Sequence, residues 1–391
     1  MARIGIYGGA FNPPHTGHIR AAEYAVQALN LDKLLLIPSC TSPHKPLPPG
    51  SAKPEQRLEM TRLWAGEKME VCDIELSRGG TSYTYQTVEQ LKNQYPRDEL
   101  VLFMGTDMFL SFHTWKEPER ILNCVSLAVF YRGEKGENVA IAKLQNEYAG
   151  KGHTVYLVEN PVTEISSTQL RRMLVFQCAA PFLDEKVLRF IDTNGLYGTA
   201  DNYRNLPMEK LEKVVIDLLN PNRVKHVLGC RDTAADLAKV WGTDVTDAAR
   251  AGLLHDITKA LDGPLQLTLC REYGKVLDEF SENNPKTLHA LTGSLVAERI
   301  FGENEAVVKA IESHTTGKPA MNTLEKIIYV ADYMEPNRDF PGVEELRRLA
   351  YTDLDGALQL GLEMTLAMLK EQKRQISPAS SQALEYLMKG K

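Results

Sequence analysis

Short apolar runs, separated by stretches of helical spacing, restrict what the first half of this chain can fold into. Residues 4–7 halt at Gly8-Gly9, 34–37 at Pro38 and 101–104 at Gly105; 127–130 and 155–158 have the same texture. Runs of this kind, without polar alternation, suit strands covered on both faces, as in a parallel sheet flanked by helices. Residues 19–29, helically spaced and free of Gly and Pro, supply one such helix. The pattern predicts an α/β doubly wound parallel sheet, in which ligands sit beyond the carboxyl ends of the strands. Residues 39–54, with Pro43, Pro46, Pro48 and Pro49, read as a long loop along that edge, and long loops are often functional.

The texture changes near Gly198. Residues 199–207 are polar and turn-rich, and from Met208 onward helical periodicity replaces strand signals: Leu211, Val214, Val215 and Leu218, then Ala234, Leu237 and Ala238, then Ala248, Ala251 and Leu254. The expected organisation is an α/β domain over 1–198, a linker over 199–207 and an all-α domain over 208–391, and a chain of 391 residues is long enough for two cores. The formal net charge is −6 and neither half is basic, so no overall field draws the chain to nucleic acid or to an anionic membrane. No apolar run approaches the ~18–20 residues of a membrane span, and residues 2–9 are too glycine-broken for a secretory signal. Six scattered cysteines without a C-x-x-C argue against a disulfide framework or a zinc ribbon and for a reducing, cytoplasmic location. The oligomeric state is left open.

The first candidate site follows the first run: Gly8-Gly9-Ala10-Phe11-Asn12-Pro13-Pro14-His15-Thr16-Gly17-His18. Two glycines permit a sharp turn and close approach to a ligand. A helix start beyond them presents free N–H groups to an anion. His15 and His18, three apart, fall on one face of a helical turn, and Gly17 leaves room for an anion between them. Past the last run, Ile165-Ser166-Ser167-Thr168 supplies hydroxyls that cap a helix or bind phosphate, and Arg171 adds a fork-shaped cation one turn in.

The H-x-G-H turn combined with I-S-S-T-x-x-R resembles the nucleotidyltransferase superfamily, whose fold is Rossmann-like. Ser42-Pro43-His44-Lys45, Arg57-Leu58-Glu59-Met60, Ser82-Tyr83-Thr84, Gly105-Thr106-Asp107 and Trp115 ahead of Ile121-Leu122 are similar to nicotinate mononucleotide adenylyltransferases. The resemblance implies adenylyl transfer from ATP, carrying Mg2+, to nicotinate mononucleotide, giving nicotinate adenine dinucleotide and pyrophosphate. It implies that Gly8, Gly9, Ala10, Phe11, Gly105, Ser166 and Ser167 border the nucleotides. His15 and His18 would contact the ATP phosphates, and Lys45 and Arg171 would hold the polyphosphate. Asp107 would bind ribose or orient the nucleotide, Thr84 would receive the pyridine carboxylate and Trp115 would stack on its ring, while Tyr83 and Tyr85 are open to a packing role. Ala10 and Asn12 stand where such enzymes often carry Thr and Asp, which removes a carboxylate.

The second half holds four histidines, His226, His255, His289 and His314, each among apolar neighbours, with Asp256 directly after His255 and Asp332 in a further apolar stretch. A buried carboxylate is costly unless paired or metal-bound. Imidazole and carboxylate together suit Fe, Mn, Co or Zn, and facing helices are a common frame for a dinuclear centre. Lys259, four after His255, shares its helix face and could meet a phosphate, and Arg338 and Asp339 are further candidates to do so.

The H…HD…D spacing resembles the HD-domain phosphohydrolases. His314-Thr315-Thr316-Gly317 and residues 324–332 are similar to the symmetrical diadenosine tetraphosphate hydrolases of this type. The resemblance implies cleavage of diadenosine tetraphosphate to two ADP at two divalent metals, iron foremost. Asp256 would bridge them, with His226, His255 and Asp332 on one ion and His289 and His314 on the other, and with Asp256 and Lys259 acting in catalysis. Two alternatives stand beside this reading: a helical domain that acts on another nucleotide or senses one without turnover, and a first domain that uses another acceptor such as phosphopantetheine.

Overall fold

The computed structural model describes residues 1–43, 46–131, 137–159 and 165–389. The chain divides into two compact units, Met1–Asp201 and Asn202–Lys391.

The first unit is a parallel sheet wrapped by helices. Its strands are β1 (Arg3–Gly9), β2 (Lys33–Pro38), β3 (Met69–Val71), β4 (Glu99–Gly105), β5 (Ser126–Tyr131) and β6 (Val155–Glu159), in the order β3-β2-β1-β4-β5-β6. The connecting helices are α1 (Thr16–Ala28), α2 (Pro54–Trp64), α3 (Ile74–Arg78), α4 (Thr84–Gln94), α5 (Thr106–Leu110), α6 (Pro118–Leu122) and α7 (Glu137–Gly150), with α8 (Ser167–Val175) and α9 (Glu185–Thr193) after the last strand. The five apolar runs are β1, β2, β4, β5 and β6. The edge strand β3, three residues long and partly exposed, carries no such run. Side chains on both sheet faces are buried: Ile4, Leu35 and Leu102 on one, Leu34, Leu36 and Val101 on the other. The sheet reverses direction of growth between β1 and β4, so the ends of these two strands, Gly9 and Gly105, open onto the crevice where such folds bind ligands.

The second unit is helical: α10 (Met208–Leu218), α11 (Val224–Trp241), α12 (Val245–Leu254), α13 (Gly263–Glu272), α14 (Glu279–Asn283), α15 (His289–Val296), α16 (Glu305–Ser313), α17 (Thr323–Met334), α18 (Val343–Ala350), α19 (Leu354–Glu371) and α20 (Pro378–Lys389). Its core is built where α11, α12, α16 and α17 meet through Leu237, Leu254, Ile311 and Ile328, all fully buried. Local chemistry sets the ends. Asp244 Oδ1 caps α12 through the Asp247 N–H at 2.8 Å, Asn322 and Glu325 close a reciprocal box at the start of α17, and Gly242 ends α11 in the left-handed region at φ 68°. No helix among the described residues is long and apolar enough to cross a membrane, and all six cysteines are free.

Candidate active sites

A cleft of about 810 Å3 opens at the carboxyl ends of β1 and β4. Gly8, Gly9, Ala10, His15, His18, Thr84, Gly105, Asp107, Trp115, Ser166, Ser167 and Arg171 all line it. Lys45 and His44 lie outside the described residues.

Several details differ from the sequence expectation. Gly8 and Gly9 belong to the extended strand β1 and do not make the turn, which falls at Phe11 with φ 45°. Gly8 contributes bare backbone instead: a Cβ there would meet open space. The Phe11 ring is absent from the cleft wall. It is 1 % exposed and packs behind His18 at 5.2 Å between ring centroids, so an apolar ring sits in the core and supports the imidazole. Gly17 makes room for the His15 ring, which a Cβ at 17 would meet at 3.0 Å, rather than for an anion; the two imidazoles lie 3.7 Å apart. His15 caps the helix from outside while His18 lies in its first turn. Asn12 spends its amide on the fold, donating to Ser51 Oγ at 2.8 Å and accepting from Tyr197 Oη at 2.8 Å. Tyr83 and Tyr85 stack against Lys116 and Arg120, in keeping with packing.

The imidazoles carry the site's chemistry. The His15 backbone N–H donates to His18 Nδ1 at 3.2 Å. That bond places the His18 proton on Nε2, which is then a donor. Burial lowers His18 to about 4, and burial together with the neighbouring His18 lowers His15 to about 2, so both are neutral at pH 7. His15 Nδ1 is buried with no partner, a polar atom left for a ligand to satisfy. Arg171 donates to the Asn12 carbonyl at 2.8 Å and to Thr168 Oγ1 at 3.1 Å, and Ser167 Oγ donates to the Pro13 carbonyl at 3.4 Å. These bonds staple the two motifs together. Ser166 caps α8 by accepting from the Gln169 N–H at 3.2 Å.

Sequence reasoning missed what holds the strand-end loops. Arg57, on α2 and fully buried, donates to the Ala10 carbonyl at 2.7 Å and to the Ser39 and Cys40 carbonyls at 2.6 and 3.2 Å. It thereby ties the ends of β1 and β2. A charged residue on a helix ordinarily reads as solvent-facing.

The neutral imidazoles also set an acid limit. Unfolded histidines take up protons below their ordinary 6.5, while His18 resists until about 4 and His15 until about 2. Between those values unfolding binds protons, so stability falls as pH falls, by about 1.4 kcal/mol per pH unit for each group. Denaturant titrations at pH 7 and pH 5 should show the first unit weakening, and a His18→Gln variant should show a shallower acid slope.

The second site gathers residues from α11, the turn after α12, α15, α16 and α17. His226 Nε2 lies 3.1 Å from Asp332 Oδ1 and 3.2 Å from His255 Nε2. His289 Nε2 and His314 Nε2 lie 3.5 and 3.9 Å from Asp256 Oδ1, while His255 Nε2 lies 3.5 Å from Asp256 Oδ2. One carboxylate thus turns its two oxygens toward two sets of imidazoles. The ring tautomers agree. His255, His289 and His314 each direct Nδ1 at the backbone carbonyl three residues earlier, at 2.7, 3.0 and 2.7 Å. A carbonyl can only accept, so Nδ1 carries a proton and Nε2 is the nitrogen aimed at the centre. His226 Nε2 and His255 Nε2 lie 3.2 Å apart with Asp332 Oδ1 beside them, so two ring nitrogens and a carboxylate oxygen converge on one point. The donor set fits divalent metals: His226, His255 and Asp332 form one group within ligating distance, and His255, Asp256 and His314 a second.

The charges follow from this crowding. Burial opposes ionisation of Asp256, yet His255 outweighs it and holds the carboxyl well below its usual range. Burial likewise resists charge on His255, but Cys230 and Asp256 raise it well above an ordinary imidazole. Burial and the charge of Lys259 lower His289 to about 3, and burial with His255 lowers His314 to about 4.

Lys259 reaches the site by another route than the one expected. Helix α12 ends at Leu254, and the chain turns through i→i−3 bonds such as Lys259 N–H to Asp256 O at 2.9 Å, so His255 and Lys259 share no helix face. The turn still brings Lys259 Nζ within 2.8 Å of His289 Nε2. Arg338 holds Asp332 Oδ1 at 2.7 Å, and Arg223, which no sequence pattern singled out, pairs with Asp256 Oδ2.

A cleft at the switch point of a parallel sheet in the first unit and a His/Asp centre in the helical second unit mark an enzyme with two candidate active sites. The cytidylyltransferase-like family model matches residues 6–173 and the HD domain model residues 223–337. A probable nicotinate-nucleotide adenylyltransferase of Shewanella woodyi is 37% identical over 212 residues, covering 50% of this chain and 100% of the relative. A symmetrical bis(5′-nucleosyl)-tetraphosphatase of Halalkalibacterium halodurans is 43% identical over 161 residues, covering 41% of this chain and 86% of the relative. Among solved structures, a predicted HD superfamily hydrolase involved in NAD metabolism from Clostridium acetobutylicum is 38% identical, covering 48% of this chain and 99% of its own, with a TM-score of 0.47. The chain belongs to the nicotinate-nucleotide adenylyltransferase family through its first unit and to the HD-domain symmetrical bis(5′-nucleosyl)-tetraphosphatase family through its second.

Proposed function

We propose that the first unit transfers the adenylyl group of ATP to the 5′-phosphate of nicotinate mononucleotide. A phosphate oxygen attacks the α-phosphorus in line, the bond to the β-phosphate bridge breaks, and pyrophosphate departs with the electron pair. The observation that carries this is the His18 tautomer, fixed by the His15 N–H so that Nε2–H is free to meet charge developing at the α-phosphate. His15 Nδ1 and the bare backbone of Gly8 add polar contacts, and Arg171 and Lys45 hold the polyphosphate with its Mg2+. Thr84 and Trp115 take the pyridine end and Asp107 a ribose.

The second unit, in the same reading, hydrolyses diadenosine tetraphosphate at its central bridge to two ADP. The carrying observation is Asp256, whose oxygens divide between His226 and His255 on one side and His289 and His314 on the other. His226, His255 and Asp332 would hold one divalent ion and His289 and His314 a second, iron foremost, with Asp256 between them, and such ions would supply Lewis acidity and an activated water. Lys259, Arg223 and Arg338 ring the centre and neutralise phosphate oxygens as substrate enters. Free cysteines suit a cytoplasmic location for both reactions.

Product analysis with the full chain tests both halves. With ATP, Mg2+ and nicotinate mononucleotide, nicotinate adenine dinucleotide and pyrophosphate are expected; turnover with phosphopantetheine alone would overturn the first assignment. With diadenosine tetraphosphate and Fe2+ or Mn2+, ADP is the expected sole nucleotide product. Binding without hydrolysis, or release of ATP and AMP, would overturn the second.

A further inference from the structure

Three of the four imidazoles in the helical unit anchor Nδ1 on a backbone carbonyl; the fourth does not. His226 Nδ1 instead lies 3.1 Å from Glu335 Oε1. Glu335 follows the last turn of α17 and is 1 % exposed, an isolated carboxylate that burial would penalise without partners. Its partners are specific. Glu335 Oε2 accepts from the Asn337 backbone N–H at 2.8 Å and from Asn337 Nδ2 at 2.7 Å, and Asn337 Nδ2 also reaches the Lys225 carbonyl at 3.2 Å. Arg338 Nε stands 4.0 Å from Glu335 Oε1. Opposite, one turn beyond His226 on α11, Gly229 leaves the space the carboxylate fills: a Cβ there would fall 2.3 Å from Glu335 Oε2. The glycine does not serve the helix, where it is less favourable than alanine by about 1 kcal/mol. It serves the carboxylate.

We infer that Glu335 is a positioning residue that fixes the ring and tautomer of His226 and strengthens its Nε2 as a metal donor, with Asn337 and Gly229 holding the carboxylate in place. A carboxylate accepting from Nδ1–H draws electron density into the ring more strongly than a carbonyl does. The group of His226, His255 and Asp332 is therefore the stronger-donating half of the centre, while His289 and His314, which face Asp256 Oδ1 and anchor Nδ1 on carbonyls, lack this support. The two halves differ in affinity, and Glu335 sets the difference.

The inference rests on the dinuclear reading of the site, and the test separates the two. The metal-free full chain is titrated with Co2+ and followed by its visible absorption, with bound metal counted after gel filtration. Wild type is expected to bind two ions with unequal affinity. Glu335→Gln keeps an acceptor for His226 but removes the charge. It should weaken the tighter ion about 10–100-fold, leave the other unchanged and shift the absorption band of the affected ion. Gly229→Ala touches no ligand and displaces the same carboxylate, so it should reproduce the effect; a purely helical role for residue 229 predicts no loss. Retention of the second ion reports that each variant is folded. If wild type binds fewer than two ions, the dinuclear reading fails. If wild type binds two and both variants keep its affinities and spectrum, the role of Glu335 is wrong.

Discussion

Replacing His18 by alanine is expected to lower kcat for adenylyl transfer by about 10²–10³, the usual loss when one preorganised donor to a developing anion is removed. Its imidazole is pinned by a bond from the His15 backbone, half-buried, and backed by Phe11, so the donor needs no rearrangement at the moment of reaction. Because the side chain is neutral, ground-state attraction for the triphosphate is small, and the loss should fall on kcat more than on KM for ATP. Pyrophosphate release measured at saturating substrates gives the comparison. A thermal melt of the same variant should shift by only a few degrees, since among the described residues the ring makes no hydrogen bond that bridges distant elements. A His18→Ala enzyme with kcat within threefold of wild type would remove His18 from the reaction.

How much of this was legible in the sequence depends on how local the determining interaction is. Apolar runs announced β1, β2, β4, β5 and β6 because a strand covered on both faces must be apolar throughout. The edge strand β3 pairs on one side only and reads as Met-Glu-Val, with nothing to distinguish it from a loop. The six His/Asp groups stood out because their residue types are rare among apolar neighbours, and the structure brings all six together. Their orientation is also local: a histidine whose Nδ1 meets the carbonyl three residues back is aimed by its own turn. Arg57, Arg223 and Glu335 are another matter. Each acts on a partner 33 to 109 residues away or on two separate loops, and no spacing encodes that. The shared helix face expected for His255 and Lys259 failed for a related reason, although Lys259 still reaches the centre. Periodicity assumes that the helix continues, whereas α12 gives way to a run of tight turns that brings Asp256 and Lys259 inward together.

Asp256→Asn should be the most damaging single change to the second activity. The carboxylate is 1 % exposed and faces His226 and His255 with one oxygen and His289 and His314 with the other, so an amide loses both the charge and one of the two acceptor oxygens. Transition-state stabilisation by bound metal is worth several kcal/mol, and losing about 4 kcal/mol corresponds to about 10³ in rate. Hydrolysis of diadenosine tetraphosphate should therefore fall by about that factor or more, with bound metal falling below two per chain. Stability of the metal-free protein should move as well. Arg223, Lys259 and protonated His255 all lean on this carboxylate. Removing one partner of a buried charge cluster costs about 3–5 kcal/mol because the others are left uncompensated. The sign with pH follows from Asp256 being held well below its ordinary value: its contribution is present above about pH 4 and disappears as the folded-state carboxyl protonates in stronger acid. The wild-type and Asp256→Asn melts of metal-free protein should thus differ at pH 7 and draw together toward low pH. Adenylyl transfer, which uses none of these residues, should stay within twofold in the same preparation. A variant that kept both its metal and its hydrolase turnover would leave the bridging role of Asp256 without support.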